Sequence, residues 1–526
     1  MPNSTSPEQG PLPGGATPRP DQRPGAGQAS WSRTGRVNRF ALPIAVFVLL
    51  ICTVPRLPPG ICFDDPGDLQ AAASALGITH PPGYPGYVSL GYLLAQIPGV
   101  SPAYAVTLGC LGAGLTALAL AGLMQIRLGT NAWIAAALIL ALGVHPKVWV
   151  NVVVPEVYAP SLAFEIGAAY LLFRHVRLHR RRDLLLAALL VGVAFANRPP
   201  VGLALPGFAL ALWLGRRHRK TDLRRLFRDL AWAALCFLLP CLYSCGYIYV
   251  RDTTACPYNF IERCDADVEG LPAADAGVQA KAERLAWLAT GQQLRYRMGL
   301  RTAGLSGRLH WLTAQLSAEN DAVFIAAIIA LAFGLVLTNR RSPACAVLLA
   351  GVALAAATFI CLFHVYDTAA DVLPILLAAT VLVGVTLSAL FPAELGRRRH
   401  ILAVAIFVCT CVWTVYDARR RPDVAAAADA TAFVETADLG ALPANALVIS
   451  WWIEFPPLWY GQHVLAGRED VRVVTVNRRW LALAREQART GAAYPGPIFV
   501  ASSIAIPRGA KLTPWRNLWR IDPVPR

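Results

Sequence analysis

The chain has 526 residues, 56% of them hydrophobic and 15% charged, with a mean hydropathy of +0.46. Soluble domains average about 25% charged residues, so this apolar excess is more than a water-surrounded surface can hide, and it excludes a simple soluble enzyme. The 48 Lys and Arg against 32 Asp and Glu give a net charge of +16. The basic residues fall between long apolar runs, which points to membrane topology and away from a nucleic-acid partner. The composition is that of a polytopic α-helical membrane protein.

Residues 1–37 are rich in Pro, Gly and Ser and lack an apolar pattern, which predicts a disordered tail. A transmembrane helix needs about 20 mostly apolar residues. On that basis we read about eleven spans, at 38–54, 103–126, 131–147, 157–173, 183–197, 200–214, 229–250, 321–338, 343–363, 371–391 and 401–416. The two short spans around Asn197 have the length of a hairpin that does not cross fully. Starting from a cytoplasmic N-terminus, alternation puts about 23 Lys and Arg on the inner side, while the short outer loops hold only Arg56, Lys147 and Arg198. This bias supports the count and the orientation. Glu165 is the clear charge inside a span.

Three outer regions follow: the loop 55–102, a long polar loop 251–320 and a C-terminal domain 417–526. The last reads as a small extracytoplasmic α/β unit. Its strand candidates are Ala446–Ser450, Val471–Val476 and Ile498–Ala501, and its helical stretches lie near Pro457–Ala466 and Arg478–Thr490. It has no glycine-rich phosphate loop. Most of the twelve cysteines sit in apolar runs and read as small buried side chains. Cys256 and Cys264 lie in the outer polar loop, where a short-range disulfide fits an oxidising compartment. The high ratio of Arg to Lys suggests a bacterial chain and hence the cytoplasmic membrane.

The most informative segment is the first outer loop. Phe63-Asp64-Asp65-Pro66-Gly67-Asp68 is followed, after Leu69–Gly77, by His80-Pro81-Pro82-Gly83-Tyr84-Pro85. Three carboxylates within five residues are costly to hold beside lipid. Asp68 suits the cap of a short helix Leu69–Leu76. Asp65 and Asp68 could also converge on a hydroxyl or on a divalent cation such as Mg²⁺ or Mn²⁺, although no ligand spacing compels a metal. The prolines after His80 cannot continue a helix and predict a stiff bend.

This loop resembles the D-S-G-E … L-G-x-x-H-P-P-G-Y-P signature of the protein O-mannosyltransferase-like integral membrane family, which belongs with the GT-C glycosyltransferases. Asp65-Pro66-Gly67-Asp68 and Leu76-Gly77-Ile78-Thr79-His80-Pro81-Pro82-Gly83-Tyr84-Pro85 carry the likeness. Pro155-Glu156-Val157-Tyr158, Ala196-Asn197-Arg198-Pro199, Asp371-Val372-Leu373-Pro374, Pro457-Leu458-Trp459-Tyr460 and Arg468-Glu469-Asp470-Val471 extend it in the same order. The chain departs from the pattern at Pro66 (family Ser), Asp68 (family Glu) and Glu469 (family Pro).

The resemblance implies a GT-C-like fold. It also implies an inverting glycosyltransferase that moves a sugar, most plausibly mannose, from a polyprenyl-phosphate carrier to a protein or glycan acceptor outside the cytoplasm. Asp65 is then the expected base with Asp64 as fallback, Asp68 a supporting group, and Glu156 an orienting carboxylate. His80, Tyr84, Asn197, Arg198 and Lys147 are the expected donor and phosphate contacts. Asp367 and Asp371 read as helix-start residues. Trp451, Trp452, Trp459 and Tyr460 could stack on sugar or acceptor, but read first as packing of the tail domain. A transporter or flippase for lipid-linked sugars and a catalytically inactive scaffold are the competing readings. The near absence of charge inside the spans disfavours the first, and the acidic loop disfavours the second.

Overall fold

A computed structural model describes residues 36–216, 223–263, 270–297, 306–307, 311–314, 321–363, 368–391, 395–421, 424–501 and 511–523. The predicted disordered tail, Cys264 and Asp367 lie outside the described residues.

Every apolar stretch read from the sequence is helical. The first span is α1 (Ala41–Thr53), and the loop after it folds into α2 (Asp64–Ala75) and α3 (Pro85–Ala95). The chain continues through α4 (Pro102–Arg127), α5 (Ala132–Gly143), α6 (Pro146–Val153), α7 (Tyr158–Leu178), α8 (Arg181–Asn197), α9 (Leu205–Arg216) and α10 (Leu223–Arg251). Beyond the polar segment containing α11 (Val278–Ala289) come α12 (Asp321–Arg341), α13 (Pro343–Leu362), α14 (Leu373–Leu390) and α15 (Gly396–Arg420). Among the described residues, six helices are long and apolar enough to cross a membrane, and seven if the α5–α6 pair counts as one bent span. That pair bends by 75° because His145, which precedes Pro146, is held extended. Helix α7 packs on α4 and α8, and α8 on α10. One large core of Leu, Ile, Val, Ala and Phe side chains unites the bundle.

The C-terminal domain is the predicted α/β unit with an addition. Strands β1 (Leu447–Ser450), β2 (Arg472–Thr475) and β3 (Ile498–Val500) match the three expected, and two more, β4 (Lys511–Trp515) and β5 (Leu518–Asp522), form a hairpin the sequence reading did not include. The sheet order is β2-β1-β3-β5-β4. Strand β1 lies parallel to both neighbours, with Val448 opposite Val473 and Phe499. Alternation along β1 divides the domain's interior. Leu447 and Ile449 pack with Trp480 and Ala484 of α16 (Arg478–Thr490). Val448 instead joins a second cluster that contains Phe455, Leu458 and Trp459 of α17 (Phe455–Tyr460) together with Ile61, Ala71 and Ala72 from the first loop and Tyr258 from the second. The domain and both loops therefore share one core at the same end of the bundle.

Candidate active site

The acidic loop is folded more tightly than its composition suggested. Helix α2 begins at Asp64, so Asp68 lies inside the helix, fully buried, and does not cap a helix starting at Leu69. This corrects the capping expectation: the preceding turn is closed against other parts of the chain, which lets the helix start one turn earlier. Asp64 N donates to Ile453 O at 3.0 Å, and Phe63 N donates to Ala428 O at 2.8 Å. Gly67 is required there, since a Cβ would lie 2.0 Å from Cys62 O. Buried Gln70 accepts from Cys62 N at 2.8 Å and donates to Ala103 O at 3.1 Å, tying α2 to α4. At the other end Leu76 turns left-handed, and Arg251 Nε of α10 donates to its carbonyl at 2.7 Å. Gly77 passes so close to Tyr258 that a Cβ would lie 2.4 Å from the Tyr258 carbonyl oxygen.

Between these anchors three ionisable side chains meet. Asp68 Oδ2 accepts from His80 N at 3.1 Å and lies 2.7 Å from His80 Nδ1. Its other oxygen accepts from the hydroxyl of Tyr258. His80 Nε2 faces Asp65 Oδ2 at 3.9 Å, and Asp65 Oδ1 accepts from Trp452 Nε1 at 2.9 Å. The imidazole thus stands between a buried carboxylate and one whose side chain is 49% exposed. Burial by itself lowers the His80 pKa, but the Asp65 charge and the hydrogen bond and charge of Asp68 outweigh it and push the pKa up to about 9. His80 is therefore a cation at neutral pH.

Tyr84 and Trp452 meet the imidazole edge-on at centroid separations of 5.1 and 6.3 Å. Burial, followed by the charges of Asp65 and Glu156, raises the Tyr84 pKa, so its phenol remains a protonated donor. Tyr84 also lies within electrostatic reach of Arg198. Arg198 pairs with Asp371 and stacks over the Tyr158 ring at 5.0 Å. Asp371, read from the sequence as a helix-start residue, is buried as that partner. Asn197 Oδ1 accepts from Tyr87 N at 3.1 Å.

His80 thus meets Asp65, Asp68 and Tyr84, and the charges of Glu156 and Arg198 are felt at Tyr84. Lys147 stands beside His145 at the α5–α6 bend. The sequence reading missed Tyr258, for which no motif signal existed. It read Trp452 first as packing; the ring does pack on Phe260 and Phe455, and its N–H also reaches Asp65, while Trp459 and Tyr460 are buried in the domain. Cys256 Sγ lies 3.4 Å from Tyr258 O. Among the described residues no group of three or more His, Cys, Asp or Glu side chains is arranged to hold a metal ion. Both Asp68 oxygens are already bonded, one to His80 and the other to Tyr258.

Beside this cluster lies an apolar cavity of about 380 Å³ between α3, α4 and α7. Leu90, Leu94, Val106, Ala113 and Phe164 contribute apolar walls, while Tyr87, Val157 and Asn197 line it too. Tyr87 and Val157 pack with Tyr84, and Val157 and Asn197 are the chain neighbours of Glu156 and Arg198, so the cavity lies next to the polar cluster.

Residues 65–222 match the family model of the protein O-mannosyl-transferase TMEM260 N-terminal domain. The protein O-mannosyl-transferase TMEM260 of Mus musculus is 43% identical over 91 residues, a stretch that covers 16% of this chain and 12% of the mouse protein. In fold, the chain resembles ArnT from Cupriavidus metallidurans, solved bound to undecaprenyl phosphate. The TM-score is 0.57 at 13% identity, covering 91% of this chain and 97% of that one. These matches agree with the family resemblance read from the sequence, and the likeness to ArnT shows a shared polytopic helical fold.

Proposed function

We propose that this chain, protein O-mannosyltransferase-like in sequence and GT-C in fold, is an inverting glycosyltransferase that moves a sugar from a polyprenyl phosphate to a protein or glycan acceptor. Mannose is the sugar that the family resemblance favours. Reaction takes place outside the cytoplasm, at the membrane surface, with the N-terminus cytoplasmic, about eleven spans and the C-terminal domain extracytoplasmic. The observation that carries this reading is a half-exposed carboxylate, Asp65, that faces His80, which in turn meets Tyr84, a ring packed with side chains that wall an apolar cavity. A lipid-linked sugar needs that combination: a dry groove for its tail, donors for its phosphate and a base for the incoming hydroxyl. The names of the similar proteins point the same way.

Asp65 takes the acceptor hydroxyl's proton as the acceptor oxygen bonds to the anomeric carbon, and the bond from that carbon to the phosphate oxygen breaks. The carrier departs as polyprenyl phosphate with the bonding pair, and the single displacement inverts the configuration. Charge developing on the phosphate calls for donors already in position. Protonated His80, the Tyr84 phenol and the Arg198 guanidinium supply them, with Asn197 fixing the backbone at Tyr87. Glu156 orients a sugar hydroxyl. Asp68 keeps His80 charged and in place.

The test is purified protein reconstituted with a panel of polyprenyl-phosphate sugars, following release of the carrier phosphate. Asp65→Asn, inserted and folded normally, is expected to lose about 10²–10⁴-fold in turnover. Wild-type turnover in that variant removes Asp65 from the mechanism. Sugar movement across liposomes with no glycosidic bond formed would replace the transferase reading with a flippase.

A further inference from the structure

We propose that Trp452, from the C-terminal domain, is a positioning residue for the reaction: its indole N–H fixes one oxygen of Asp65 and leaves the other to take the acceptor's proton. The proposal rests on the reading of Asp65 as the base. The two residues lie 387 positions apart in the chain, yet Trp452 Nε1 donates to Asp65 Oδ1 at 2.9 Å. The indole nitrogen is a donor only, so it suits an ionised carboxylate and cannot compete for the substrate proton.

The fold delivers this contact from the carboxyl end of a parallel strand, where α/β sheets commonly present functional side chains. Strand β1 ends at Ser450, and the segment that follows crosses to the first loop, where Ile453 O accepts from Asp64 N at 3.0 Å. The Trp452 ring is held in turn. It meets Phe260 edge-on at 5.5 Å and stacks with Phe455 at 6.5 Å. Without the indole, a side chain that is 49% exposed would rotate freely about its terminal torsion. With it, Oδ2 is directed toward His80 Nε2 at 3.9 Å, beyond hydrogen-bond distance, so its lone pairs remain free for a hydroxyl. The C-terminal domain is on this account part of the active site and more than an appended lid.

The experiment compares the wild type with Trp452→Phe, Trp452→His and Asp65→Asn in the reconstituted assay, all checked by gel filtration and thermal melting. Trp452→Phe keeps an aromatic ring and loses the N–H. It is expected to lower kcat about 10–100-fold, with the donor and acceptor KM values within about twofold of wild type. Trp452→His retains a ring N–H and is expected to recover part of that loss. In a ¹⁵N–¹H spectrum the indole resonance missing from Trp452→Phe should move in Asp65→Asn. Unchanged kcat in Trp452→Phe, a rise in KM alone, failure of folded Trp452→His to restore any turnover, or an unmoved indole resonance would each overturn the proposal. An active Asp65→Asn would instead overturn the reading beneath it.

Discussion

Replacing Asp68 with asparagine tests the ionisable cluster at its buried end. The wild-type rise of the His80 pKa from 6.5 to about 9 corresponds to about 3 kcal/mol of stabilisation at most, at about 1.4 kcal/mol for each pH unit. The imidazole is only 18% exposed, so solvent screening removes little of it. Because the folded-state value lies above the unfolded one, this stabilisation is complete below pH 6.5. It declines as pH rises from 6.5 to 9 and is gone above that. A neutral amide in place of the Asp68 carboxylate removes that residue's hydrogen bond and charge from the imidazole and leaves the charges of Asp65 and Glu156. The Asp68→Asn variant should therefore lose about 1–3 kcal/mol at pH 6, and its stability should fall less between pH 6.5 and 9 than that of the wild type. Unfolding midpoints from intrinsic fluorescence in nanodiscs, at pH 6, 7.5 and 9, read both effects. Histidine-selective ¹³C NMR, with the His80 signal assigned by His80→Gln, reads the titration itself. A wild-type His80 that titrates near 6.5, or a variant whose midpoint still falls across that window as the wild type does, refutes the reasoning.

Ala113→Phe fills the cavity between α3, α4 and α7. It should raise the donor KM about tenfold, the cost of about one lost apolar contact patch, with kcat for bound donor close to wild type; steady-state kinetics over a range of donor concentration reads this. Arg198→Gln leaves Asp371 a buried carboxylate without its cation. It should cost about 3–5 kcal/mol, and Arg198→Gln/Asp371→Asn together should cost less than the single change, as seen in thermal melts in detergent.

Composition and apolar runs are sufficient to establish that this chain is a bundle of membrane helices, because its apolar side chains are more than a water-surrounded surface can hide. The run from Asp65 to Pro85 is legible as a short helix followed by a proline-stiffened bend, since proline fixes φ and donates no hydrogen bond, but the helix starts earlier than the pattern shows. Three of the strands in the C-terminal domain announce themselves as short apolar runs between turn residues. The β4–β5 hairpin does not: Lys511, Thr513, Arg516 and Arg520 interrupt any clean alternation, and its pairing with β3 comes from the sheet edge available there.

What only the tertiary structure decides is who touches whom. Asp68 looks like a cap when read locally and becomes a buried anchor for His80 once Tyr258 closes over it. Asp371 looks like a helix start and becomes the counter-ion of Arg198. Trp452 looks like packing and reaches Asp65. Each of these reversals joins residues more than a hundred positions apart or in separate loops, and local pattern carries no information about such distances. Hydrophobic periodicity reports which side of an element is buried. Which polar group it is buried against depends on how the whole chain packs, and here the packing of the C-terminal domain and both loops into one core assembles the site.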